Sequence, residues 1–130
     1  MRKIAEIEAE IEASPGRAGR FVALAEEVLE IWLEAHERAA TRETCEGSRL
    51  LALHRQGARG DPSFNACRET CRELVYRENL LASPGEHPDK AGASEAMRAL
   101  ALHLAYFVGG KLENAKLGEF CCSSRPLRVN

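Results

Sequence analysis

The sequence predicts an all-α protein. Apolar residues recur at three- and four-residue steps over most of the chain, no stretch alternates like a half-buried strand, and short clusters of Pro and Gly separate the periodic stretches. Short connections make neighbouring helices antiparallel, so we expect an up-and-down helical bundle of about four helices, with dimerisation as one way to complete it. A length of 130 residues predicts a single domain over residues 1–130.

A short amphipathic helix is predicted at residues 1–13, where Ile4, Ile7 and Ile11 repeat at helical spacing with glutamates between them. A helix of this length is not stable alone in water. It must therefore pack on the rest of the domain or on a partner chain.

The second helix is predicted to begin at Pro15, because Ser14 is a good N-cap residue and proline suits the first helical position. The apolar periodicity continues to residue 56, and an unbroken helix from 15 to 56 would be roughly 60 Å long. Gly47, together with Thr41 and Thr44, is consistent with a break or a bend, and we favour a long helix that is kinked in the forties. His54 lies among charged or polar residues, which favours a surface position.

The third helix is predicted from 62 to about 81, since Asp61 is a suitable N-cap and Pro62 suits the first turn. Glu78 continues the apolar stripe of this helix, either as a buried polar contact or at the edge of the bundle, and we favour the edge. The stripe itself consists of Phe64, Cys67, Cys71, Leu74, Val75 and Leu81.

A fourth helix is predicted to begin between Pro88 and Ser94, after a loop rich in turn residues. Gly109 and Gly110 are expected either to cap this helix or to bend it. The last residues, 118–130, are expected to form an irregular tail.

The charge balance argues against nucleic acid as a partner, because 18 basic and 20 acidic residues leave a formal charge of −2. A regulator that binds nucleic acid through Arg42, Arg49, Arg55 and Arg59 is a weaker alternative, since glutamates interrupt this stretch. Aromatic residues make up only 5% of the chain and alanine is abundant, so a single copy would have a thin core. We therefore expect a homo-oligomer, such as a dimer, or a protein partner.

No targeting segment is apparent at the N-terminus, which lacks the apolar core of a signal peptide. The longest uncharged apolar run is well short of the ~20 residues that a membrane span needs. We expect a soluble, cytoplasmic protein with no membrane contact, whose thiols stay reduced. An odd number of cysteines, 5, also argues against a closed disulfide framework.

The stretch FNACRETCREL places Cys67 and Cys71 one helical turn apart, with Arg68 and Arg72 beside them. Two small apolar thiols on a core stripe are the simpler interpretation, because free cysteine is among the most buried residue types. Neighbouring guanidinium groups would nevertheless favour thiolate over thiol. The pair is therefore either core packing or a site.

Antiparallel packing would bring four candidate metal ligands to one level of the bundle. The turn near residue 58 places Cys45 opposite Cys71, and the turn near residue 85 places His103 between the heights of Cys67 and Cys71. A set of three cysteines and one histidine suits tetrahedral Zn²⁺, and thiolates also suit Cu(I) or an iron–sulfur cluster. The sequence thus raises the hypothesis of a thiolate-bound metal at Cys45, Cys67, Cys71 and His103.

A redox role for Cys67 and Cys71 is the next alternative. Cysteines four residues apart in a regular helix have awkward geometry for a disulfide, so a reversible bond would require the helix to distort. We rank this hypothesis below metal binding. Cys121 and Cys122 in the tail are candidate redox thiols that could also bridge two chains, or could have no chemical role.

Motifs of several enzyme classes are missing from the sequence. The paired Glu-x-x-His motifs of di-iron bundles, His-Glu-x-x-His, the phosphate-binding loop and G-x-S-x-G do not occur. An enzyme is therefore not expected. We predict a non-enzymatic protein of interaction or accessory type, with a metal-binding or thiol-redox-responsive module as the alternative.

Overall fold

The computed structural model describes residues 2–15 and 18–115, and in this part of the chain all regular structure is helical. The five α-helices are α1 (Ile4–Ala13), α2 (Ala18–Ala35), α3 (Arg49–Ala58), α4 (Arg68–Ala82) and α5 (Ala93–Asn114), with short 3₁₀ helices at Pro62–Cys67 and Pro88–Lys90. The predicted all-α class is confirmed. The predicted tail at 118–130 lies outside the described residues.

The helices share one continuous hydrophobic core. Helix α2 packs against α1, α3, α4 and α5, and α5 also packs against α1 and α4. Every helix contributes fully buried side chains, for example Ile7, Leu24, Leu53, Leu74 and Leu104. The up-and-down order and completion by a dimer stay predictions.

The isoleucine seam of α1 is buried within its own chain. Ile4, Ile7 and Ile11 are at most 4% exposed and face α5 and α2. Arg98 of α5 donates from Nη1 to the Ile11 carbonyl oxygen at 2.5 Å, which holds the last turn of α1 in place. This seam therefore does not require a second chain to cover it.

The favoured long helix from 15 to 56 is wrong, and the structure has the alternative of a break, because α2 ends at Ala35 and α3 begins only at Arg49. Glu37 has a φ of 58°, in the left-handed region that ends helices. The Arg38 N–H then donates to the Leu33 carbonyl at 2.9 Å, which satisfies one of the last free carbonyls of α2.

A tight turn separates this break from α3. Glu46 and Gly47 both have positive φ, at 53° and 78°, and the flanking Cys45 and Ser48 exchange backbone hydrogen bonds of 2.9 and 3.0 Å. The Ser48 hydroxyl accepts the Leu51 N–H at 3.3 Å and so caps α3. Gly47, expected to mark a kink, instead lies in a reversal of the chain.

The third predicted helix consists of two parts. The 3₁₀ helix Pro62–Cys67 comes first, and Cys67 is the N-cap of α4 with φ −101° and ψ 11°. Helix α5 continues to Asn114 through Gly109 and Gly110, which are both buried, so neither glycine ends it.

Candidate functional site

The Phe64 ring anchors the short 3₁₀ helix in the core. Its centroid lies 5.0 Å from Trp32, 5.5 Å from His54 and 5.8 Å from Phe107. Gly57 of α3 approaches so closely that a Cβ there would be 2.8 Å from Phe64 Cε2. This packing fixes the Phe64 backbone, and with it the direction of the Phe64 carbonyl.

His54 and Cys67 both bind that carbonyl. His54 Nε2 lies 3.0 Å from the Phe64 oxygen, so this nitrogen carries the proton, and Cys67 Sγ donates to the same oxygen at 3.3 Å. His54 is only 5% exposed, which shows that its predicted surface position is wrong. The residue faces the core because it shares the helix face of Leu50, Leu53 and Gly57.

Cys67 and Cys71 are both fully buried and lie together at the start of α4. Cys67 is the N-cap rather than a residue inside the helix, so the geometric objection to a bond between cysteines four apart in a regular helix does not apply in full. The N-terminus of a helix also favours negative charge, which stabilises a thiolate at this position.

The pKa values of Cys67, Cys71 and His54 are all shifted by their contact. Hydrogen bonding from Cys71 and then from His54 outweighs burial and lowers the pKa of Cys67 well below that of an ordinary thiol. The same contact with Cys67, together with burial, raises the pKa of Cys71. Burial alone would lower the pKa of His54, but its contact with Cys67 and the Phe64 carbonyl raises it. Of the two thiols, Cys67 therefore loses its proton first, and Cys71 keeps its proton.

The proposed metal ligands are not assembled as a set of four. His103 is exposed on the outer face of α5, and Cys45 is half-buried in the turn before α3, on the wall of a cavity that Arg72 also lines. Across residues 2–15 and 18–115, no group of three or more His, Cys, Asp or Glu side chains is placed to hold a metal ion. Only Cys67 and Cys71 are brought together in the core.

The chain break in α2 explains part of this difference. The height of Cys45 was projected from an unbroken helix, whereas the reversal at Glu46 and Gly47 places it in a turn. Cys121 and Cys122, the candidate tail thiols, lie outside the described residues.

Sequence reasoning did not find His54 as a partner of the thiols. A signal was available, since residues 50, 53, 54 and 57 follow the spacing of one helix face. The arginines expected to stabilise the thiolate make no hydrogen bond to it: Arg72 pairs with Glu46 at 3.2 Å, and Arg68 is exposed.

Within residues 2–15 and 18–115, no helix is both long enough and apolar enough to cross a membrane. No protein-family model, no curated protein and no solved structure matches this chain.

Proposed function

We propose that this protein is a non-enzymatic accessory module that responds to thiol oxidation, with Cys67 and Cys71 passing between a dithiol and a disulfide. The observation that carries the proposal is the position of Cys67 at the N-terminus of α4, where it shares the Phe64 carbonyl with His54 and lies one turn from Cys71. A lowered thiol pKa and an adjacent resolving thiol are two features of redox-sensing cysteines. The third is solvent access, and because both thiols are buried it requires local opening at the start of α4.

The reaction needs a small disulfide as the oxidant. The Cys67 thiolate attacks one sulfur of that disulfide, forming a mixed disulfide and releasing the first small thiolate, which takes up a proton. Cys71 then loses its proton and attacks Cys67 Sγ, which releases the second small thiol. Two electrons pass from the protein thiols to the oxidant, and the protein gains one S–S bond.

Two other functions have less support. Among the described residues, Tyr76 is the one large hydrophobic side chain that is exposed, at 48%, so the surface offers no broad apolar patch for a protein partner. Metal binding lacks a converging set of ligands within residues 2–15 and 18–115.

Oxidation can be detected directly because trypsin cleaves between the two cysteines. Cys67 falls in the peptide 60–68 and Cys71 in the peptide 69–72. A chain with Cys45, Cys121 and Cys122 replaced by serine is treated with hydroxyethyl disulfide, digested and analysed by mass spectrometry. We expect the two peptides to appear joined, two hydrogens lighter than their sum, and to separate after reduction.

Two controls decide the outcome. The His36→Gln variant should oxidise like the parent, because His36 binds the Trp32 carbonyl rather than a thiol. The same treatment of the chain unfolded in urea shows the intrinsic tendency of this Cys-x-x-x-Cys sequence. If the folded chain forms the bond no faster than the unfolded chain, the proposal is wrong.

A further inference from the structure

A cavity of about 360 Å³ opens between α3 and the start of α4. Four arginines line it: Arg55 and Arg59 from the end of α3, and Arg68 and Arg72 from the first turns of α4. The nearly buried His54 forms part of the wall. Its volume lies within the range of about 300–1,000 Å³ that small-molecule sites have.

The positive charge in this cavity is largely unbalanced. Glu46 is the one acidic residue of the lining, and it pairs with Arg72 at 3.2 Å. Arg55, Arg59 and Arg68 make no side-chain hydrogen bond or ion pair with any residue in 2–15 or 18–115. The arginines that do pair with glutamates in the described structure are Arg2, Arg20, Arg49, Arg72, Arg77 and Arg98.

This concentration does not follow from composition, since the chain has a formal charge of −2. Three exposed guanidinium groups without an ion-pair partner in the described structure line one cavity, and a bound anion would offset the repulsion between them.

The start of α4 adds a second reason to expect an anion. Arg68 is the first residue of α4, where the helix dipole disfavours a cation and favours an anion. No side chain caps this end of α4. A negatively charged group in the cavity would be attracted both by the N-terminal end of the helix dipole and by the guanidinium groups.

We propose that this cavity binds a small molecule that carries a phosphate group. Phosphate offers several oxygens and up to two charges in a compact group, and the planar fork of arginine binds it with paired hydrogen bonds. The inference stands apart from the thiol function, because no thiol chemistry is needed for binding.

Nucleic acid fits the arrangement less well. The predicted basic stretch does not form one unpaired surface, because Arg49 pairs with Glu30 at 2.6 Å and also with Glu26 at 3.4 Å. Arg55 and Arg59 face the cavity instead. A concave site for a small anion explains the position of these two arginines better than an extended surface for a nucleic-acid strand does.

The test titrates the full reduced chain with pyrophosphate and with inorganic phosphate at low salt, by calorimetry and by NMR. We expect saturable binding at one site, with shifts centred on the amides of Arg55, Arg59 and Arg68. Arg55→Gln and Arg59→Gln should each weaken pyrophosphate binding about tenfold, the usual cost of one charged hydrogen bond. Arg42→Gln changes the net charge equally but lies outside the cavity, and should change the affinity by less than about twofold.

Several results would overturn the proposal. Equal losses in all three variants would reduce the effect to general charge, and an absence of saturation would remove the site. Tighter binding of succinate than of pyrophosphate would reject the assignment to phosphate. A single-stranded RNA that binds more tightly than pyrophosphate, with an affinity falling steeply with salt, would assign the arginines to nucleic acid. Cys67 does not line the cavity, so Cys67→Ser should not weaken pyrophosphate binding, and a failure of the thiol function is distinguishable.

Discussion

His54 and Cys67 share one hydrogen-bond acceptor: His54 Nε2 is 3.0 Å and Cys67 Sγ is 3.3 Å from the Phe64 carbonyl oxygen. The histidine comes from α3 and the cysteine from the N-terminus of α4, so the 3₁₀ helix between them sets their separation. The contact places an imidazole beside a buried thiol. It is the arrangement on which the thiol chemistry of this protein depends.

The first prediction concerns the ionisation of Cys67. Its pKa is lowered to about 6, first by the hydrogen bond from Cys71 and then by His54. A lowered thiol pKa means that the thiolate persists above this pH and is lost as the pH falls through it. The ultraviolet thiolate absorbance of the native protein should therefore rise near pH 6. The measurement does not require a reagent to reach the buried sulfur.

Three variants assign that transition. Cys67→Ser should abolish it, His54→Gln should move it to higher pH, and His36→Gln should leave it in place. A native protein whose thiolate absorbance first appears at about pH 8.5, as for an ordinary cysteine, would contradict the interpretation.

The second prediction concerns the contact of α3 with Phe64. Gly57→Ala would place a Cβ 2.8 Å from Phe64 Cε2. Because three other rings pack against the Phe64 ring, it cannot move away easily, and the variant should lose about 1–3 kcal/mol in the free energy of unfolding. Urea denaturation measures this loss. Gly19→Ala, in α2, is the matched control: its Cβ meets nothing within 4 Å, and it should be neutral or stabilising by up to about 1 kcal/mol. Equal effects of the two substitutions would refute the contact.

The third prediction concerns the docking of α1. Arg98 Nη1 donates to the carbonyls of Ile11 at 2.5 Å and Glu12 at 3.2 Å, and the guanidinium carbon lies 5.2 Å from the centre of the Phe21 ring. Arg98→Met should cost about 1–3 kcal/mol, because both carbonyls lose a charged donor. Relative to the parent, the Arg98→Met variant should exchange its α1 amides faster, with a smaller change in α5.

An arginine on α4 provides the comparison. Arg77 forms a pair with Glu73 one turn away, an interaction that contributes about 0.3–0.5 kcal/mol. Arg77→Met should therefore change stability much less than Arg98→Met, and leave the exchange of α1 unchanged. Similar losses in both variants would show that Arg98 does not hold α1.

The fourth prediction concerns Glu78 on α4. Its carboxylate oxygen Oε1 is buried without a hydrogen-bond partner in the described structure, and burial, with the nearby charge of Glu26, raises its pKa. A carboxyl group whose pKa is raised in the folded state makes the folded protein less stable as the pH rises above the unfolded-state pKa and through the folded-state pKa. Glu78→Gln should therefore be more stable than the parent at pH 7, by on the order of 1 kcal/mol.

The pH dependence separates this effect from a simple change of packing. At about pH 4, below the raised pKa, parent and variant should have nearly equal stability in urea. Glu86→Gln, on an exposed loop residue, should have no such pH-dependent effect. A constant difference between parent and Glu78→Gln from pH 4 to 7 would count against the ionisation argument.

The local sequence pattern determined the helices of this protein, because apolar residues repeated at helical spacing are the ones that become buried. Ile4, Ile7 and Ile11 are buried as their spacing indicates, and so are Cys67 and Cys71 on the stripe of α4. Such patterns depend only on neighbours one turn away. They therefore predicted the all-α class and identified the thiol pair.

The chain reversal after α2 and the partner of the thiols were decided only by the tertiary structure. Glu37 adopts a left-handed conformation at a position where glycine is usual, so the end of α2 had no strong local signal. His54 is buried because the Phe64 carbonyl satisfies its N–H from another element, and its polar neighbours in sequence do not encode that acceptor. A hydrogen bond between distant segments exists only once the helices have packed.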